Sequence, residues 1–251
     1  MRSSGLRSFG IRFASFAVLI VLWQLGSLVL GHRKLPSPAT VAAVMSGEFA
    51  DGTLLFHVGV TLLRVAASFV VAMAIGIVMG VAMGRLPNVN LFLDGWLVVL
   101  LTFPALVTTV LCYLWFGFTE AAVITAVAIN KIPTVAVTMR EGARALNRDN
   151  LEMAAVFRFG PLKTLRHVIL PELAPFLIAA ARSGLALIWK IVLVVELLGR
   201  SNGVGFQIYT FFSFFDVPSI LAYTIAFVVV IQLIEFGILR PLDRHATRWR
   251  R

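Results

Sequence analysis

The sequence predicts an all-α integral membrane protein with six transmembrane helices, and three observations carry that prediction. Of the 251 residues, 59% are hydrophobic and only 14% are charged, and the mean hydropathy is +0.93. A soluble core of this size cannot bury so much apolar surface, so much of it must face lipid. The apolar residues also form separate runs, each long enough to cross about 30 Å of hydrocarbon as a helix. A water-soluble globular protein is therefore excluded.

The six predicted spans form one transmembrane domain, residues 13–240. No small-residue cleavage site follows the first span, which indicates an uncleaved anchor. The second span is rich in small residues, with Gly76 and Gly80 at the spacing that lets helices approach closely. Pro104 is expected to kink the third span. The predicted spans are residues 13–30, 65–84, 95–118, 121–139, 173–195 and 217–239.

The basic residues predict how the protein is oriented in the membrane. An even number of spans places both termini on one side. With the termini in the cytoplasm, fifteen Lys and Arg lie on the cytoplasmic side and four on the other, as the positive-inside rule requires. The short tail 1–12 and the basic tail 241–251 are then both cytoplasmic. The net charge of +10 is thus assigned to loops that meet anionic lipid headgroups, and not to nucleic-acid binding.

Two segments between the predicted spans have a pattern of their own. Residues 37–63 fit a short amphipathic helix leading into the second span, or a helix lying on the bilayer surface. Residues 140–171 fit two short amphipathic helices. Asp149 and Glu152 are placed to cap the first of these helices, Gly160–Pro161 to separate the two, and Pro171 to end the second. By composition alone, residues 140–171 also fit a plain connector at the membrane surface.

The stretch from Glu152 to Pro171 resembles the cytoplasmic signature of the permease subunits of binding-protein-dependent ABC importers. That signature reads Glu-Ala-Ala, three residues, Gly, nine residues, and Ile-x-Leu-Pro. Met153 stands in place of an Ala and Arg158 in place of the Gly, so the bend is expected to have moved to Gly160–Pro161. We call residues 140–171 the coupling segment. The residues assigned to it by the resemblance and the predicted bend are Glu152, Met153, Ala154, Arg158, Gly160, Pro161, Val168, Leu170 and Pro171.

Other short motifs are similar to the nitrate, sulfonate and taurine group of these permeases, and the resemblance covers roughly residues 35–240. The motifs include Phe103-Pro104-Ala105 and Trp115-Phe116-Gly117. The resemblance implies a type I importer permease in the bacterial inner membrane, acting as a homodimer with a cytoplasmic ABC ATPase dimer and an extracytoplasmic (periplasmic) binding protein. Small Ala154 is expected at the closest contact with the ATPase.

No pattern in the sequence supports an enzyme. The Gly-Pro-Leu-Lys-Thr run at 160–164 lacks the glycine-rich loop that cradles phosphates, so ATP and Mg²⁺ are assigned to the partner ATPase and no cofactor to this chain. The four histidines are scattered, and neither a catalytic nor a metal site is expected. The predicted function is ATP-driven import of a small solute, an anion such as a sulfonate or a nitrate-like compound. A stand-alone secondary transporter or channel is the alternative, but paired carboxylates and inverted repeats are missing from the sequence.

Polar residues within the predicted spans are candidates for the translocation path, since charges in lipid normally face protein or water. Arg182, Trp189 and Glu196 follow one another at intervals of seven and share a helical stripe, with Lys190 beside it. They fit an anion-attracting surface at a dimer seam. They equally fit internal pairing or snorkelling of the cations, with Glu196 ending the helix. The remaining candidates are Pro104, Asn130 and Lys131.

Overall fold

The computed structural model describes the backbone of residues 3–239 and the side chains of residues 14–237. The predicted basic tail, 241–251, and the side chains of the N-terminal tail, 1–12, lie outside the described residues. Every described element is helical: α1 (Ser3–Leu30), α2 (Pro38–Ala50), α3 (Thr53–Arg85), α4 (Pro87–Thr102), α5 (Ala105–Phe116), α6 (Glu120–Arg144), α7 (Arg148–Val156), α8 (Pro161–Thr164), a π-helical turn (Leu165–Ile169), α9 (Leu170–Gly199), α10 (Val204–Ser213), α11 (Val217–Ile234) and a second π-helical turn (Glu235–Leu239).

Four of these helices are long and apolar enough to cross a membrane within the described residues. They are Thr53–Arg85, Glu120–Arg144, Pro161–Gly199 and Val217–Gly237. The apolar part of α1, Ala14–Leu30, is shorter. The count of six spans therefore stays a prediction.

The kink expected at Pro104 is a complete break. Helix α4 ends at Thr102, α5 begins at Ala105, and their axes differ by 100°. Phe103 has the extended conformation that a following proline imposes, with ψ of 125°. Pro104 in turn supplies no backbone N–H to continue the α4 hydrogen bonds. The pair α4–α5 is therefore a broken span or a re-entrant element.

Helix α2 belongs to the helical bundle, which favours the first of the two interpretations of residues 37–63. Its Val41 is buried, and its Glu48 carboxylate accepts a 2.7 Å hydrogen bond from the Tyr223 hydroxyl of α11. Gly52, at φ +76°, makes the turn into α3. Helix α3 begins twelve residues before the predicted second span, because residues 53–64 continue the same helix.

Glycines let α3 approach α6 along their length. A Cβ atom on Gly76 would lie 2.6 Å from the Val135 Cβ atom, and one on Gly84 would lie 2.6 Å from the Ala143 Cβ atom. Between them, Gly80 faces the carbonyl oxygen of Ala136 directly. This is the small-residue packing that the glycine spacing predicts. More than half of the α6 membrane segment is buried, twice the share in the other three long helices, so α6 lies at the centre of the bundle.

Candidate functional site

The N-cap of the first helix of the coupling segment lies two residues before the predicted one. Asn147, and not Asp149, is the N-cap of α7, and its side chain accepts a 2.9 Å hydrogen bond from the Asp149 N–H. Glu172, in the first turn of α9, fixes this start. Its carboxylate accepts from the Asn147 N–H at 2.9 Å and from the Asn150 side chain at 2.6 Å. Because Glu172 occupies the Asn147 N–H, α7 is tied to the beginning of α9.

The turn after α7 is made at Arg158 and not at the predicted Gly160–Pro161 pair. Arg158 has φ +51°, whereas Gly160 has an ordinary φ of −66°. The left-handed residue thus stands where the importer signature has Gly. Pro161 is the first residue of α8, where a proline at the start of a helix is expected.

We expect Arg158→Gly to keep or raise the stability of the protein, by up to about 1 kcal/mol, because the left-handed conformation is unfavourable for residues other than glycine. The measurement is the thermal unfolding midpoint in detergent. Gly160→Ala is the control: a Cβ there meets nothing within 4 Å, so the midpoint should barely move. A clear drop for Arg158→Gly would show that the arginine side chain itself holds the turn.

Pro171 does not end the second helix, contrary to the prediction. The chain remains helical from Pro161 to Gly199, with Pro171 in the first turn of α9. The π-helical turn Leu165–Ile169 directly precedes it, and the Leu170 N–H bonds to the Leu165 carbonyl five residues back. In a regular α-helix the proline ring would clash with the preceding turn. The π-helical turn is wider and leaves room for the ring.

The coupling segment turns one side inward and exposes an apolar side. Ala154 is only 1% exposed and Val168 7%, so Ala154 lines the interior of this chain and not an open surface, which corrects the expected ATPase contact at that residue. The segment also carries exposed apolar side chains, which together we call the docking face: Met153 (48% exposed), Val156 (80%), Phe157 (69%) and Leu162 (76%). Glu152, Arg158, Gly160, Pro161, Leu170 and Pro171 are also exposed.

A buried polar cluster that no sequence pattern predicted lies at the other end of α9. All five N–H groups of Arg64 are hydrogen-bonded. Nε and Nη2 donate to the two Glu120 oxygens at 2.8 and 2.6 Å, and Nη1 donates to Glu196 at 2.7 Å. The remaining two donate to the backbone oxygen and the side chain of Asn202 at 2.8 and 2.5 Å. Arg200 also pairs with Glu120.

The Glu196 carboxylate is completely buried and holds the loop after α9 in place. Besides Arg64, it accepts from the Thr61 hydroxyl at 2.9 Å and from the Gly205 N–H at 2.9 Å. The His57 Nδ1 atom accepts from the Gly203 N–H at 3.0 Å. Gly203 and Gly205 have no side chains because the Glu196 side chain and the α9 backbone fill the space beside them. We call these residues, with Arg64, Glu120 and Asn202, the Glu196 cluster.

Comparison with known proteins places these features in a family. The sequence model of one protein family, described as the binding-protein-dependent transport system inner membrane component, matches residues 72–247. The chain belongs to this family of importer permeases. The permease is 32% identical to the aliphatic sulfonates transport permease protein SsuC of Bacillus subtilis, over 93% of this chain and 85% of that protein. It is 28% identical to the taurine transport system permease protein TauC of Escherichia coli, over 97% and 90%.

A solved structure confirms the fold. A chain of the MetNI methionine ABC transporter, in an inward-facing conformation, superposes with a TM-score of 0.59 over 75% of the permease and 94% of that chain, at 18% identity. The permease is thus an all-helical inner-membrane transport subunit of a binding-protein-dependent ABC importer, and not an enzyme. Among the described residues, no group of His, Cys, Asp and Glu could hold a metal ion.

The structure separates the three residues of the predicted α9 stripe. Arg182 is exposed and pairs with Glu235 at 3.3 Å, Trp189 packs at 5.9 Å from the Phe227 ring, and Glu196 is buried. A stripe of seven-residue steps drifts about 20° per step, which moves Glu196 toward α3. Glu196 therefore neither lines an open surface nor merely ends the helix. Lys190 lies on the exposed side of α9, 5.5 Å from the Trp189 ring.

The remaining path candidates are placed as follows. Pro104 precedes α5 at the break described above. The Asn130 side chain donates to the Ala126 carbonyl oxygen at 2.8 Å, one turn back along α6. Lys131 is 1% exposed, and its Nζ atom has no hydrogen-bond partner among the described residues.

Proposed function

We propose that two copies of this permease form the membrane channel of an importer for a small sulfonate or a related oxyanion, with cytoplasmic ATPase subunits bound to the docking face. ATP and Mg²⁺ bind to the ATPase, and an extracytoplasmic binding protein delivers the solute. Two relatives named for aliphatic sulfonates and for taurine, itself a sulfonate, support the solute class. The excess of basic residues in the loops on one side supports cytoplasmic termini and a cytoplasmic coupling segment.

The docking face is the observation that carries this proposal. It presents Val156, Phe157 and Leu162, and the exposed cations Arg158 and Lys163 are close to them in sequence. Exposed apolar patches with a polar rim are typical of protein interfaces. A membrane-surface connector would insert the same side chains among lipid headgroups, so the two interpretations differ in whether the ATPase needs them.

The exposed side of α9 supports the proposal that a second copy of the permease packs against this helix. Ser183, Ala186, Leu187 and Lys190 lie on this side and are exposed in the single chain. A lysine and small residues on a membrane helix favour contact with protein or water over contact with lipid. A stand-alone transporter, the alternative function, would transport without any ATPase.

The test substitutes Phe157 by Glu in the permease co-expressed with its ATPase and binding protein. Loss of an aromatic anchor residue at an interface costs about 2 kcal/mol or more, so we expect at least about a tenfold loss of co-purified ATPase and of sulfonate uptake, at unchanged permease abundance. Phe214→Glu is the matched control, because Phe214 is 77% exposed and follows α10, beyond the other end of α9. Full ATPase binding and uptake with Phe157→Glu would show that the coupling segment is only a connector and does not bind the ATPase.

A further inference from the structure

Lys131 is a buried cation for which the described part of the chain provides no acceptor. It lies in α6, the most enclosed helix, with 1% of its surface exposed, and no described residue accepts a hydrogen bond from its Nζ atom. Lysine is almost never fully buried unless it is paired, since removing an unpaired ion from water costs several kcal/mol. Because burying the Lys131 ammonium group without a partner is so unfavourable, we expect a partner from outside the chain.

Gly184 makes room for the long side chain of Lys131, and no described carboxylate is hydrogen-bonded to its Nζ atom. A Cβ atom on Gly184 of α9 would lie 3.2 Å from the Lys131 Cε atom and 3.6 Å from the Phe69 ring. The neighbouring Asn130 amide is turned back to its own helix. The buried carboxylate Glu196 is already paired with Arg64. The Lys131 side chain therefore occupies the space that Gly184 leaves on α9, on the side that also faces the Phe69 ring.

One helix separates Lys131 from the surface that the proposed dimer would use. Gly184 is on the buried side of α9, while Ser183, Leu187 and Lys190 are on its exposed side. Because position 184 has no side chain, no α9 side chain at this position has to leave the contact when α9 rotates or tilts relative to α6. An ion that enters from the exposed side then meets Lys131.

We propose that Lys131 is an anion-binding residue of the translocation path, whose ammonium group pairs with the sulfonate or other oxyanion when α6 and α9 separate, and is sealed between them in the structure described here. The inference rests on the proposed function for the solute class. An anion that supplies the missing acceptor binds the open state better than the closed one, and thereby favours the open state during transport.

The experiment compares Lys131→Met, Lys131→Gln and the parent permease, each assembled with ATPase and binding protein, using taurine and ethanesulfonate as transported probes. Methionine matches the length of lysine without its charge, so the complex should keep its abundance and its thermal unfolding midpoint should rise. Uptake of both probes should fall at least about tenfold. Glutamine retains hydrogen-bond donors but no charge, and should lose uptake as methionine does. Lys34→Met, between α1 and α2, is the control and should import normally.

The outcomes separate this inference from the proposed function. If the parent complex imports neither probe, the proposed solute class is wrong. If the parent imports and Lys131→Met imports equally well, only the role of Lys131 is overturned. Normal import by Lys131→Gln would show that the position needs only a hydrogen-bond donor. It would contradict an ion pair between the Lys131 ammonium group and the anion. Failure of Lys131→Met to assemble would show a structural partner in the complex, which also overturns the proposal.

Discussion

Arg64→Met is expected to lower the free energy of unfolding by about 3–5 kcal/mol, because it leaves the Glu196 carboxylate buried without its cation. Glu196 has no exposed surface, and Arg64 is the cation bound to it, at 2.7 Å. The Asn202 carbonyl and side-chain oxygens would lose their donors as well. The measurement is the thermal or denaturant unfolding of the purified permease in detergent, read together with its abundance in the membrane.

Two comparison variants sharpen this test. Arg144→Met makes the same substitution in an exposed ion pair with Glu141 and should change stability by less than about 1 kcal/mol. Arg64→Met combined with Glu196→Gln should be more stable than Arg64→Met alone. A neutral amide is easier to bury, and its oxygen still accepts from Thr61 or Gly205. Equal, small effects of Arg64→Met and Arg144→Met would contradict a stabilising role for the Glu196 cluster.

Gly80→Val is expected to prevent α3 from packing on α6 and to reduce the amount of folded permease at least about tenfold. The added Cβ would overlap the Ala136 carbonyl oxygen and lie 2.7 Å from the Met139 Cβ atom. A backbone oxygen within a helix cannot move aside as a flexible side chain can, so the helices must separate.

The control for this substitution is Gly59→Val in the same helix. A Cβ on Gly59 meets nothing within 4 Å. Gly59→Val therefore changes the helix propensity as Gly80→Val does, but without the steric overlap with α6. Membrane abundance and the detergent unfolding midpoint of the two variants are compared. Similar values for Gly59→Val and Gly80→Val would show that the close α3–α6 approach contributes little.

Local patterns in the sequence predict the features that depend on neighbouring residues. The glycine spacing in α3 predicts close helix packing, and Pro104 predicts an interruption. The signature from Glu152 to Pro171 leads to the importer family, which the comparisons confirm. Each of these signals acts through the backbone or through one helical face, where periodicity and steric rules apply.

Features that depend on distant partners could not be predicted in the same way. Arg64 pairs with a residue 132 positions away, so no pattern among its neighbours in the sequence indicates the pair. The inward side of Ala154 depends on how α7 packs against the chain, and the left-handed Arg158 breaks the conformational preference of its residue type. The glycines at 203 and 205 are the signal that could have indicated a buried group next to the end of α9.

The continuous helix from Pro161 to Gly199 joins the coupling segment to the Glu196 cluster. Its 39 residues measure about 58 Å at 1.5 Å per residue, well beyond the hydrocarbon thickness. Its C-terminal end is bound to α3 by the ion pair between Glu196 and Arg64. Its N-terminal end carries Leu162 of the docking face. A tilt of about 10° about Glu196 would move Leu162, about 51 Å away along the helix, by about 9 Å. If the ATPase binds at Leu162 as proposed, its movement over such a distance corresponds to a tilt of this one helix by only about 10°.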